Sequence, residues 1–166
     1  MPRYAANTAV SADRSQVQIM QMLRRFGCEG FGCAEHAGRG VIQFVYQGVP
    51  VQFSVPLPGR ADEEFVFTPT GRERSAKQRE AIWEKETRRR WRAAYLVVKA
   101  LLVGVEDGVL AFEEAFLPYV VWHDGRTTAE ILVDPLRRAV AAGRMPALLP
   151  GSGSSIYPQL NEGDSP

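Results

Sequence analysis

Apolar residues recur along this chain with two different periods, and the change of period marks out its elements. In residues 11–27, Val17, Met20 and Leu23, with Ile19 and Phe26, return at helical spacing. Ser11 stands where an N-cap is needed, Arg24 and Arg25 fall in the last turn, and Gly27 is placed to end the helix. The period then drops to two. Residues 31–36 read as a short strand and 37–40 as a turn. Residues 41–47 alternate with Ile42, Phe44 and Tyr46 on one face. After a tight turn at Gln47-Gly48, residues 49–57 alternate with Val49, Val51, Phe53, Val55 and Leu57 on one face. Pro50 and Pro56 mark the third strand as an edge strand or one with frayed ends. The pattern predicts a three-stranded antiparallel meander with one apolar face, which helices must cover.

Residues 58–74 are polar, with Phe65-Val66-Phe67 as a possible short strand. From 75 to about 105 no Gly or Pro intervenes until Gly104, so one long helix is expected, roughly 45 Å at 1.5 Å per residue. Its first half, to Arg92, is charged; its second is mostly apolar, with Trp91, Tyr95, Val98, Leu102 and Val105 as the core stripe. A second apolar helix is expected over 109–122, kinked or stopped by Pro118. A last helix is expected from Thr127 or Thr128 to 142–143, with a restart at Asp134-Pro135. The fold class is therefore α+β, with one basic-to-apolar helix. The expected organisation is a flexible arm over 1–10, one domain over 11–149 and a disordered Gly/Ser/Pro-rich tail over 150–166.

Composition adds limits. The 166 residues carry a formal charge of +1, so global charge argues for neither nucleic acid nor membrane. The distribution is uneven: residues 72–99 hold ten Lys/Arg and four Glu, a net of +6, and the remainder carries −5. Two cysteines are too few for a secreted disulfide framework, and no apolar run reaches the roughly 20 residues of a bilayer span. A cytoplasmic protein with no membrane association is expected.

From 11 to 150 the chain resembles an uncharacterised family of small tailed-phage and prophage proteins. The residues that carry the resemblance are 15–31 with the Leu-Arg-Arg-Phe-Gly run, Arg89-Arg90-Trp91-Arg92-Ala93 leading into Lys99-Ala100-Leu101, Phe112-Glu113-Glu114-Ala115-Phe116-Leu117, Asp124-Gly125-Arg126-Thr127 and Gly143-Arg144-Met145-Pro146. It implies a phage origin and the cytoplasm of a bacterial host. The family has no known activity, so no functional residue is transferred.

The candidate chemistry lies on the long helix. Lys85, Arg88, Arg89 and Arg92 fall on one side at 100° per residue, and Trp83 and Trp91, eight residues apart and about 80° around the helix from each other, are read as near the same side. Arginines track phosphates and exposed aromatics stack on bases, so this is a candidate surface for DNA or RNA. Against that, Glu84 with Arg88 and Glu86 with Arg90 stand at i,i+4 and would merely solvate the helix, and Trp91 continues the core stripe. Arg89 and Arg92 have Lys85 and Arg88 at i−4, so no acid holds them there. Cys28, Cys33 and His36, with His123 or Glu29, form an incomplete zinc set. His123-Asp124 has no nucleophile beside it in any recognisable motif. A non-enzymatic protein without metal or cofactor is expected. It would bind nucleic acid without sequence specificity or, alternatively, engage a host or phage protein, for example as an inhibitor of a host defence system. A homodimer through a sheet edge or the long helix is a further expectation.

Overall fold

The computed structural model describes residues 10–36 and 38–144. Its element order is α1 (Ala12–Phe26), β1 (Glu29–His36), β2 (Arg39–Tyr46), β3 (Val49–Pro56), α2 (Glu63–Val66), α3 (Ala76–Glu106), α4 (Phe112–Phe116), a 3-10 turn (Leu117–Tyr119) and α5 (Thr128–Ala141). Backbone packing divides the chain into two units, Met1–Ala129 and Glu130–Pro166. The expected terminal arm, except residue 10, and the expected tail lie outside the described residues.

In the first unit the meander forms as the alternation predicts, in the order β1-β2-β3, antiparallel throughout. Gln47 and Gly48 both take left-handed backbone angles (φ 48° and 79°). That is what a two-residue hairpin turn needs to match the strand twist, and it pairs Tyr46 with Val49. Ile42, Phe44, Val51, Phe53 and Val55 are buried on one face. On the other, Gln43 donates to Gln52 across the strands at 2.7 Å, exposed. One dry face and one wet face is the usual condition of an antiparallel sheet. The first strand begins two residues earlier than expected, with an irregular register between Glu29 and Gly32.

The Ser11 hydroxyl accepts from Arg14 N at 3.2 Å and caps α1, and Gly27 ends it in the left-handed region. The buried face is Ser15, Ile19, Met22 and Leu23, so the stripe is rotated from the one expected: Val17 is exposed. Ser75 and Gln78 form a reciprocal capping box that starts α3, and the helix runs unbroken for 31 residues. Thr87, Trp91, Val98 and Leu102 are its buried positions. Trp91 packs against β2, where a side chain at Gly40 would bring its Cβ within 2.6 Å of Trp91 Cζ2. The indole N–H donates to Glu35 Oε1 on β1 at 2.7 Å, and the same oxygen accepts from Gln16 Nε2 on α1 at 3.2 Å.

Two expectations fail. Phe65-Val66 lies in the short helix α2, with Asp62-Glu63-Glu64 polar at its start; only Phe67 makes a strand-like bridge, to Glu73. Residues 109–122 do not form one helix. Gly104 O accepts from both Val109 N and Leu110 N, which closes the end of α3, and α4 is only five residues long. Pro118 starts a 3-10 turn instead of continuing α4, because it offers no N–H to the preceding turn. Aromatic packing sets this segment. Phe116 meets Phe44 edge-on at 5.6 Å, Tyr119 stacks on Phe53 at 3.9 Å, and Phe112 meets Tyr46 at 4.6 Å. Val121 N then donates to Pro50 O at 2.9 Å and partly covers the β3 edge.

In the second unit α5 passes through Pro135 without a restart. Its end is closed by Gly143 (φ 64°), whose N–H bonds Val140 O at 3.0 Å.

The contact of Trp91 with Gly40 generates a double-mutant prediction. Trp91→Ala should cost about 3–5 kcal/mol as a large-to-small core change. Gly40→Ala should also destabilise, because the added methyl overlaps the indole. In the Trp91→Ala background Gly40→Ala should become nearly neutral. Urea unfolding of the four proteins measures the coupling; additive costs would refute the contact.

Candidate basic groove between α1 and α3

At 100° per residue Lys85, Arg88, Arg92 and Lys99 lie within about 60° of one another on the flank of α3 beside its buried stripe. That flank turns toward α1, which packs along α3. Arg92 Nη1 donates to Gln18 Oε1 on α1 at 3.0 Å, and its guanidinium lies over the Tyr95 ring at 4.4 Å. Both partners line an open groove of about 440 Å³ between the two helices. The other lining residues are Gln21, Met22, Arg24, Arg25 and Lys99. Three cations therefore line the groove, a fourth stands at its wall, and no carboxylate is among the lining residues.

The expected site residues divide accordingly. Arg92 contacts Gln18 and Tyr95 of the groove lining without being a lining residue itself. Lys85 is exposed further back on the same flank. Arg88 reaches Glu84 at 4.0 Å while its Nε is buried and has no hydrogen-bond partner. Arg89 is corrected. Its i−4 neighbour is indeed a lysine, but the acid that holds it is Glu86, one residue closer. Arg89 Nε donates to Glu86 Oε2 at 2.8 Å and Nη2 pairs with Oε1. Arg90 Nε donates to the same Oε1 at 3.0 Å. The Arg89 and Glu86 side chains are only 15% and 14% exposed, so this arginine is largely taken from solvent. The two guanidinium groups hold the Glu86 carboxyl well below its ordinary 4.5, down to about 2, the Arg89 hydrogen bond being the main cause.

The tryptophans are both occupied. Trp91 is fully buried. Trp83 Nε1 donates to Pro58 O at 2.8 Å, and the Arg60 guanidinium lies over its ring at 3.9 Å while pairing with Glu80. The loop before α2 is thereby pinned to α3, and one face of the Trp83 ring is covered. Arg24 and Arg25, read in the sequence as cations in the last turn of α1, line the groove, as does Lys99 of α3. The signal available was the spacing of Lys85, Arg88, Arg92 and Lys99.

Burial raises the Cys28 and Cys33 thiols to about 11, which keeps them protonated at neutral pH. Among the described residues no three His, Cys, Asp or Glu side chains gather in an arrangement that would hold a metal ion. Asp124 accepts from Arg126 N at 3.1 Å and Arg126 Nε at 2.8 Å and so closes the loop that carries His123. Among the described residues no helix is long and apolar enough to cross a membrane.

The Glu86 carboxyl generates a pH prediction. Its folded pKa is depressed, so its stabilisation is present above the unfolded value near 4.5 and is lost as pH falls toward 2. Glu86→Gln should lower stability at pH 7 by at most about 3 kcal/mol and flatten the fall in stability between pH 4.5 and 2. Chemical denaturation of both proteins across that range measures the difference; parallel curves would count against it.

No family model, curated protein or solved structure matches this chain.

Proposed function

We propose that this is a non-enzymatic nucleic-acid-binding protein that holds the phosphate backbone in the α1–α3 groove, without regard to sequence. What supports the reading is one observation: Arg24, Arg25 and Lys99 line the groove, Arg92 flanks it, and no acid is among its lining residues. Cations collected along a groove attract a polyanion and release its counterions. Arg24 and Arg25 stand at the C-terminus of α1, where a cation is also favoured by the helix dipole, so these charges are retained with little cost to folding. Gln18 and Gln21 add neutral polar groups, and Tyr95 offers an aromatic edge. Cations outnumber the two glutamines of the lining, and the Gln18 amide oxygen already accepts from Arg92, which favours phosphate over base contact. The phage origin and cytoplasmic setting implied by the resemblance fit an accessory protein of phage DNA or RNA metabolism, and remain part of the proposal. The rival reading, a module that engages a host or phage protein, draws on the arginines that Glu84 and Glu86 neutralise.

Binding to single- and double-stranded DNA and to RNA, followed by fluorescence anisotropy at several salt concentrations, tests the proposal. Three or four phosphate contacts should give a log–log salt slope of about −2 to −4. Arg25→Gln combined with Lys99→Gln should weaken binding at least about tenfold and reduce the slope by about two. Arg89→Gln should leave affinity unchanged and lower stability, since that side chain is engaged by Glu86. Absence of binding to all three nucleic acids at low salt would remove this reading and make the protein-partner reading the lead.

A further inference from the structure

The sequence of α5 carries an apolar stripe. Ala129, Leu132, Val133, Leu136, Ala139 and Val140 fall within about 120° of the helix circumference. Leu132, Val133, Leu136 and Val140 are 52%, 38%, 51% and 57% exposed. A row of four large aliphatic side chains in water favours association, unlike the same residues scattered singly. The spacing from Ala129 through Val133 and Leu136 to Val140 runs in steps of four, three and four, the seam of a two-helix contact. Pro135 lies about 40° beyond Ala139 at the edge of the stripe and about 100° from Leu136, outside the Ala129-Val133-Leu136-Val140 seam.

We propose that α5 packs antiparallel against α5 of a second copy of this chain. Charge complementarity singles out that occupant. Glu130 and Arg137, seven residues apart, lie along one flank of the stripe, the acid toward the start of the helix and the base toward its end. In an antiparallel pair related by a two-fold axis midway between Val133 and Leu136, Val133 meets the partner's Leu136 and Ala129 meets the partner's Val140. The same axis sets Glu130 beside the partner's Arg137, twice over by symmetry. On the other flank Leu132 meets the partner's Ala139. A parallel pair would instead set the charged flank against the apolar flank, with no such ion pairs. Arg137 already pairs with Asp134 at a long 3.6 Å, both side chains more than 70% exposed, and Glu130 also has an interaction within its own chain, so the intermolecular pairs add to these contacts and do not meet free charges. A contact along one helix of roughly 21 Å is small for a protein interface, so the dimer is concentration-dependent.

Sedimentation velocity of the full chain over a wide concentration series tests this. The mass should rise from 18.4 kDa toward twice that value. Leu136→Glu should keep the protein monomeric at every concentration, with unchanged circular dichroism and melting temperature, because the side chain is half exposed in the monomer. Arg137→Glu should move the association midpoint at least about tenfold higher in concentration, and Glu130→Arg with Arg137→Glu should bring it back. A monomer throughout overturns the proposal, as does a dimer that survives Leu136→Glu. A monomer whose melting temperature falls on Leu136→Glu also overturns it, since the stripe would then be covered within its own chain. Failure of the charge swap to restore association overturns the antiparallel pairing.

Discussion

The first unit depends on one indole. Trp91 places the middle of a 31-residue helix on the sheet, and it can do so only because β2 carries no side chain at Gly40. A tryptophan buried this deeply must also satisfy its N–H, which would otherwise cost on the order of 1–3 kcal/mol. Glu35 on β1 accepts it, and the same oxygen takes a bond from Gln16 on α1. Strand, sheet and both long helices are thus tied at a single point. The glycine sets the depth of the helix, and the carboxylate sets its rotation.

That rotation decides where the charges of α3 go. With Trp91, Val98 and Leu102 inward, Arg92 and Lys99 face α1, and Arg89 and Arg90 fall around the far side with Glu86. A run of arginines that looks uniform along the chain becomes two populations. One is satisfied within its own helix, with a carboxylate held ionised down to about pH 2. The other is joined by cations from α1 across an open groove. Coulomb attraction between neighbours and the azimuth imposed by the core together separate the two.

Loop packing follows the same logic of using polar atoms twice. Trp83 gives its N–H to the Pro58 carbonyl and its ring to Arg60, which also pairs with Glu80. The charged half of α3 is therefore anchored by a loop as well as solvated. Past α3 the chain has no long apolar helix to offer, and aromatic contacts among Phe44, Phe53, Phe112, Phe116 and Tyr119 hold two short turns against the sheet.

Local physics made much of this legible in the sequence. Alternation at Ile42-Phe44-Tyr46 and Val51-Phe53-Val55 specifies strands, Gln47-Gly48 specifies their turn, and Ser11, Gly27 and Ser75 specify helix ends, because each effect acts within a few residues. The α+β class follows from those elements alone. Three things required the tertiary structure. The segment 109–122 has the apolar content of a helix, yet its phenylalanines are placed by rings on the sheet, and Pro118 breaks the run. Spacing offers Glu86 both Arg89 at i+3 and Arg90 at i+4, and the structure shows that it holds the two together. The groove unites Arg24 and Arg25 with Lys99 across more than seventy residues of sequence, and only the seating of Trp91 over Gly40 brings those helices side by side.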